Sequence, residues 1–378
     1  MATGISRDRF SNALLDWFVQ KGRKDLPWQT DKNAYKVWVS EIMLQQTQVK
    51  TVIPYFEKFV RRFPTLAALA KAEQDEVLAH WSGLGYYARG RNLHASAIIC
   101  MTKYNGTLPA NLNDLVSLPG IGRSTAGAIL AIAYQIRAPI LDGNVKRVLA
   151  RFLGIAGWPG KKAVENQLWQ AAEHFTPNDQ LAEYTQAIMD LGATVCTRTT
   201  PLCEQCPIND SCIAWVNGRI ADLPTKKPKR TNPTKHAWLL IIRNQNKEIW
   251  LEKRPDNGIW GGLWSLPQHD TQETEAQIVA QVATRRQLVI ESHHSLDEFS
   301  HVFSHFTLKL RPLILEVQTT EQLSEQTQEY RHGLTNKGWK STMAATNLGL
   351  PAPIKKVLFS IQTENRAKRQ RIQKKTEP

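Results

Sequence analysis

Four cysteines, Cys196, Cys203, Cys206 and Cys212, stand in the spacing C-x6-C-x2-C-x5-C, and the chain has only five cysteines in all. Four thiolates on so short a stretch can hold one [4Fe–4S] cluster or one zinc ion. A disulfide pair is the plainer alternative, but clustered cysteines in a compact, cytosolic-looking chain more often bind metal. Zinc usually takes two close C-x2-C pairs. Here a single close pair has longer gaps on either side, which favours iron–sulfur. The fifth cysteine, Cys100, follows Ala97-Ile98-Ile99 and is expected to be a buried hydrophobe.

Two carboxylates also stand out. Glu41 lies in Tyr35-Lys36-Val37-Trp38-Val39-Ser40-Glu41-Ile42-Met43-Leu44, with Val37, Trp38, Leu44 and Gln45 at the positions three and four away. A glutamate on a solvated helix face should have polar neighbours there. An apolar setting raises a carboxyl pKa by desolvation, as a general acid requires. A buried salt bridge is the alternative. Asp142 follows the apolar pair Ile140-Leu141, in Asp142-Gly143-Asn144-Val145-Lys146-Arg147. A carboxylate there can stabilise positive charge growing on a nearby sugar. It can equally cap a helix, and the two roles are compatible.

These groups need elements to place them. Leu118-Pro119-Gly120-Ile121-Gly122-Arg123-Ser124-Thr125 has two glycines one residue apart, which permit a tight turn. The helix beginning at Ser124-Thr125 then offers free N–H groups to an anion such as a DNA phosphate. A plain packing corner between two helices is the alternative. Residues 1–225 read as a mainly helical domain, with helical periodicity as in Phe10–Phe18 and stops marked by Pro27, Pro64 and Pro109. Three prolines and a run of lysines between 224 and 235 mark a solvated linker at 226–235. Residues 236–242 and 248–253 read as a hairpin turning at 244–247, and Phe306–Leu310 as a further strand. A second, α/β domain is therefore expected at 236–362, followed by a basic disordered tail at 363–378.

The net charge is +14, which favours a polyanionic partner. No stretch approaches the roughly 20 apolar residues of a membrane span, and the polar N-terminus makes secretion unexpected.

The segments at 26–29, 35–49, 83–94, 118–129, 141–151 and 189–198 resemble the MutY family, the adenine DNA glycosylases of the helix–hairpin–helix, endonuclease III superfamily. The resemblance covers most of residues 1–222. It implies a helix–hairpin–helix (118–126) glycosylase domain with a [4Fe–4S] loop (196–212) held by Cys196, Cys203, Cys206 and Cys212. That loop would present basic side chains to phosphate, with Arg198, Lys226 and Lys227 close by. It implies a repair enzyme that flips adenine out of a duplex, opposite 8-oxoguanine or guanine, and hydrolyses its glycosidic bond. Glu41 would then protonate the base, Asp142 would stabilise the sugar cation, and Asn144 would support both. Gln46, Thr47, Leu84 and Tyr86 match positions beside 8-oxoguanine. Gly120, Gly122, Ser124 and Lys146 belong to the expected DNA-binding face.

Position 124 carries lysine in the lyase-active relatives, where it forms a Schiff base. Serine cannot, so the resemblance implies a monofunctional enzyme. Gly258–Pro267 resembles the opening of a Nudix domain, but the following helix, residues 273–288, lacks the glutamate spacing that holds magnesium. Recognition of 8-oxoguanine is the implied role, with Phe303-Ser304-His305 as the reading loop. The partner is double-stranded DNA, and the enzyme is expected to be a cytoplasmic monomer with no membrane contact, nucleoid-associated in a bacterium. An oxidised-pyrimidine glycosylase/lyase and a non-catalytic mismatch sensor are the alternatives. Ser124 argues against the first, and the retained Glu41 and Asp142 against the second.

Overall fold

The computed structural model describes residues 5–30, 32–228, 231–269, 272–318 and 336–362. The chain packs as two units, Met1–Ala72 with Asn92–Lys229 and Glu73–Arg91 with Arg230–Pro378.

The first unit is helical. α1 (Arg7–Lys21) starts at Ser6, whose hydroxyl accepts the Arg9 N–H at 3.3 Å. Its buried face carries Phe10, Leu14 and Phe18. The Phe10 ring lies 4.8 Å from that of Phe152 and 4.4 Å from that of Phe175. Phe152 and Phe175 end α9 (Gly143–Phe152) and α10 (Lys162–Phe175). Truncating one such core ring to alanine costs about 3–5 kcal/mol. α2 (Ala34–Leu44) is apolar nearly all round, with Val37, Trp38, Val39, Ile42 and Met43 buried. A helix of that kind must be covered on most sides, and α2 packs against α8 (Arg123–Tyr134) and α3 (Val49–Arg62). α7 (Leu112–Ser117), the Leu118–Gly122 turn and α8 form the helix–hairpin–helix foreseen in the sequence. Gly120 sits there at φ +79°, where a Cβ would stand 2.9 Å from the Asn92 Cβ.

The second unit is built on a mixed sheet. β1 (Thr234–Arg243) and β2 (Ile249–Lys253) form the antiparallel pair, with Arg243 opposite Ile249. β1 also runs parallel to β7 (Thr307–Val317), from Thr234↔Thr307 to Arg243↔Glu316. Parallel central strands are buried on both faces and read as apolar runs, as Trp238–Ile242 does. The helix Glu275–Arg286 lays Ile278 and Val282 onto a core of Trp238, Leu240, Trp250, Leu313 and Trp339.

Two boundaries differ from the sequence expectation. The linker was expected to reach 235, but strand pairing begins at Thr234 because Pro233 already accepts the Thr307 N–H at 2.9 Å. The first domain was expected to run unbroken to 225. Residues 73–91 instead pack with the second unit, where Val77, Leu78 and Trp81 are buried. The tail expected at 363–378 lies outside the described residues. No described helix is long and apolar enough to cross a membrane.

Candidate active site and cluster loop

Glu41, on α2, and Asp142, at the start of α9, line one cavity of about 200 Å³ together with Asn144, Arg23, Trp28 and Gln186. Asp142 is fixed from both sides. Upstream, Gly127 of α8 lets the chain come close, since a Cβ there would stand 2.4 Å from the Pro139 carbonyl oxygen. The Ser124 hydroxyl also accepts the Leu141 N–H at 2.9 Å. Downstream, Asp142 caps α9, its Oδ1 accepting the Val145 N–H at 2.8 Å. The cap role weighed in the sequence is thus present, and it aims the carboxylate.

The two acids sit in different environments. Burial, and after it the Asp142 charge, push the Glu41 carboxyl up to about 8. Burial raises Asp142 as well, but the Val145 and Asn144 hydrogen bonds and the Arg147 charge pull it back. Asn144 Nδ2 donates to Asp142 Oδ2 at 3.2 Å, and Arg147 Nη2 donates to Asn144 Oδ1 at 2.8 Å. Burial and the Asp142 charge together favour the protonated form of Glu41 near neutral pH. One carboxyl can donate a proton while the other holds negative charge, the division of labour that breaking a glycosidic bond requires.

The cavity wall includes residues to which sequence reasoning gave no role. Asp190, fully buried, accepts from the Arg23 N–H at 2.8 Å, from Arg23 Nε at 3.0 Å and from Gln186 Nε2 at 2.8 Å. It thereby holds two polar wall groups in place. Of the three, only Asp190 lies in a segment quoted for the family resemblance, 189–198, and it was given no role there. On its other side Glu41 borders a second cavity, of about 350 Å³, which shares Arg23, Trp28 and Gln186.

The expected DNA-facing residues fall in several places. Gln46, exposed at φ +57°, forms the tip of the turn between α2 and α3, with Thr47 beside it in the cavity wall. Gln45 Nε2 ties this turn to Thr125 Oγ1 at 3.2 Å. Gly122 caps α8, and Ser124 faces inward to Leu141. Lys146 Nζ is bonded to Glu165 Oε1 at 2.8 Å and does not line the cavity. Leu84 is buried, whereas Tyr86 is half-exposed at φ +48°.

Phe303, Ser304 and His305 form the turn between β6 (Phe299–Val302) and β7, closed by the Phe303 N–H to the Phe306 carbonyl at 2.9 Å. Phe303 stacks on Phe306 with centroids 4.6 Å apart, and Ser304 Oγ lies 3.3 Å from His305 Nδ1. In the expected Nudix helix, Glu275 pairs with His293 at 3.0 Å.

The cysteine loop packs beneath α9. Cys212 belongs to the core formed with α9 and α10, and Cys196 and Cys206 lie against it. Arg151 Nη1 stands 3.4 Å from the Cys196 Sγ, and Arg147 Nε donates to the Cys196 carbonyl at 2.6 Å. Burial raises Cys203, Cys206 and Cys212, Cys206 to about 12, and the neighbouring thiols push in the same direction. Cys212 is buried and the other three are partly buried, and as thiolates they would repel one another, which fits a cationic iron core between them. In a cubane cluster each thiolate ligates a different iron. Among the described residues no three His, Cys, Asp or Glu side chains gather as they would around a single ion. When bound, the cluster ties four points of the loop together.

Residues 39–174 match the HhH-GPD superfamily of base excision DNA repair proteins, residues 196–212 the iron-sulfur binding domain of endonuclease III, and residues 237–359 the NUDIX domain. The adenine DNA glycosylase of Buchnera aphidicola subsp. Acyrthosiphon pisum (strain APS) is 40% identical over 92% of this chain and 96% of its own. The chain belongs to the adenine DNA glycosylase family. The human member is 34% identical over 82% of this chain and 68% of its own. A thermostable thymine-DNA glycosylase shares the helical fold, at 25% identity and a TM-score of 0.50 over 56% of this chain and 97% of that one. As a family member the protein is a base-excision repair enzyme with DNA as substrate and a [4Fe–4S] cluster as cofactor.

Proposed function

We propose that the protein removes adenine mispaired with 8-oxoguanine or guanine in duplex DNA, by monofunctional hydrolysis of the N-glycosidic bond. One observation carries this: a carboxyl held protonated near neutral pH shares a cavity of about 200 Å³ with a hydrogen-bonded carboxylate. A purine is a poor leaving group until a ring nitrogen is protonated. Glu41 supplies that proton, and Asp142 stabilises the oxocarbenium character of the sugar. Asn144 orients Asp142. Ser124 has no amine for a Schiff base, and Lys146 is paired with Glu165, so water completes the reaction.

Gly120, Gly122, Ser124 and Lys146 belong to the surface that meets phosphate. Gln46, Thr47, Leu84 and Tyr86 stand beside the base opposite the adenine. Phe303, Ser304 and His305 read that base, and Cys196, Cys203, Cys206 and Cys212 ligate the cluster. The enzyme acts as a monomer in the cytoplasm, at the nucleoid in a bacterial cell.

The test is a single-turnover assay on duplexes with adenine opposite 8-oxoguanine, guanine or thymine, each followed by alkali and, separately, by borohydride. Alkali-dependent cleavage, fastest opposite 8-oxoguanine and without borohydride trapping, is expected. Strong trapping by the unmodified enzyme would overturn the monofunctional reading, and no adenine release would overturn the whole.

A further inference from the structure

Glu73–Arg91 interrupts the first unit in sequence and packs with the second. The helix α5 (Gln74–Trp81) opens it. The Asp75 carboxylate accepts the Trp264 Nε1–H at 3.0 Å and pairs with Lys253 Nζ. At the far end, the Arg91 guanidinium donates to the Gly261 carbonyl, with the Asp256 carboxylate facing it. Between these points Ser82 Oγ donates to the Leu350 carbonyl at 2.9 Å, and the Tyr87 hydroxyl to the same oxygen at 3.4 Å. The backbone comes close as well, since a Cβ on Gly349 would stand 3.1 Å from the Leu78 Cβ.

The loop that this piece carries is shaped from within. Trp81 Nε1 donates to the Gly85 carbonyl at 3.2 Å, and Arg89 Nη2 donates to the Leu84 and Gly85 carbonyls at 3.3 and 3.1 Å. The Arg89 guanidinium lies over both the Trp81 and Tyr86 rings, at 5.6 and 5.4 Å. Gly83 at φ +104° and Gly85 at φ +76° allow the turn that leaves the Tyr86 ring half-exposed at its tip.

We infer that Asp75 and Arg91 are positioning residues that fix the Leu84–Tyr86 loop to the second unit, so that opposite-base preference depends on this tether. The inference rests on the reading that Tyr86 stands beside the base opposite the adenine. On that reading Tyr86 and the Phe303–His305 loop belong to one folded body, although Tyr86 is encoded within the first unit's sequence. Loosening the tether then misplaces Tyr86 without touching Glu41 or Asp142.

The experiment compares full-length Asp75→Ala, Asp75→Asn, Tyr86→Ala and Asp75→Ala/Tyr86→Ala. Single-turnover excision is measured opposite 8-oxoguanine and opposite guanine, and a 2-aminopurine beside the 8-oxoguanine reports local unstacking in a duplex with a non-cleavable adenine analogue. Asp75→Ala is expected to lower the 8-oxoguanine to guanine rate ratio about 3- to 10-fold and to reduce the unstacking signal. Adding it to Tyr86→Ala should lower the ratio by less than about 2-fold more, since coupled residues are non-additive. Asp75→Asn keeps an oxygen acceptor for the indole and should recover part of both signals. Should Asp75→Ala fail to fold, Arg91→Gln takes its place with the same expectations. If Tyr86→Ala leaves the ratio unchanged, the premise about Tyr86 fails. If Tyr86→Ala lowers the ratio while a folded tether variant leaves ratio and fluorescence at wild-type values, the tether itself is overturned.

Discussion

The carboxylate cavity and the Phe303–His305 turn solve opposite problems. In the cavity the polar groups around Glu41 are held by others: Asp142 by Val145, Asn144 and Ser124's grip on Leu141, and Arg23 and Gln186 by the buried Asp190. In the turn, Ser304 and His305 are exposed and face each other across 3.3 Å. Chemistry needs a low-dielectric, prearranged site, because a carboxyl stays protonated near neutral pH when burial disfavours its charged form. Recognition needs donors free to exchange water for a base edge. Damage to the cavity should therefore stop the reaction, and damage to the turn should change its choice of substrate.

The largest effects are expected where folding and chemistry meet. Cys203→Ala removes one thiolate of the loop that packs under α9. Iron content, about four per chain in the parent as a cubane cluster implies, should fall together with soluble yield and DNA binding. Stoichiometric zinc in anaerobically purified parent protein would refute the cluster assignment. Glu41→Gln keeps the shape and removes the proton. Excision should drop about 10²-fold or more while affinity for the mispaired duplex is retained; rapid excision by this variant would remove Glu41 from the mechanism. Asp142→Asn should act similarly, through loss of the charge.

A smaller, continuous effect follows from pH. With Glu41 raised to about 8, single-turnover excision should hold near neutrality and fall about tenfold per pH unit above that value. The same shift bears on stability. Folded Glu41 binds a proton that the unfolded chain, near the ordinary value of 4.5, has released. Stability therefore declines as pH rises from the unfolded to the folded pKa. Glu41→Gln should flatten that decline, so the variant should gain on the parent in thermal unfolding as pH rises from 4.5 towards about 8 and hold that gain above it. An identical pH dependence in both proteins would mean that Glu41 is not the titrating group.

What the sequence made legible was local. Glu41 was singled out by its neighbours one helical turn away, Asp142 by the residues on either side and the cluster loop by its spacing, and the family resemblance then chose among the readings these left open. The hairpin and the β1–β2 pair were legible for the same reason, being set by short-range turns and periodicity. Arg23, Gln186 and Asp190 were missed as a group because Arg23 and Asp190 are 167 residues apart and meet only in the fold. The placement of residues 73–91 was hidden likewise: Asp75 and Trp264 are separated by 189 residues. Neither pairing has a periodicity to betray it. The expectation that Ser124 is a non-lyase residue came from the family resemblance, whereas its inward bond to Leu141 depends on how closely Pro139 approaches Gly127.

The smallest expected effect lies in the exposed turn, and it discriminates best between the two regions. Phe303 is held by Phe306, by His301 at 4.7 Å and by Trp260 at 5.5 Å, so the turn has its own aromatic support. Replacing Ser304 and His305 together by alanine removes two polar groups from its tip and leaves that support intact. Each good polar contact to a base is worth roughly 1–3 kcal/mol. The preference for adenine opposite 8-oxoguanine over adenine opposite guanine should thus fall by roughly fivefold or more, with the rate opposite guanine little changed. Both rates must be taken at one salt concentration, because phosphate contacts otherwise dominate each of them. Equal losses opposite both bases would mean that the turn contributes general DNA affinity. An unchanged ratio would move lesion reading away from the second unit's turn and onto Gln46 and Thr47.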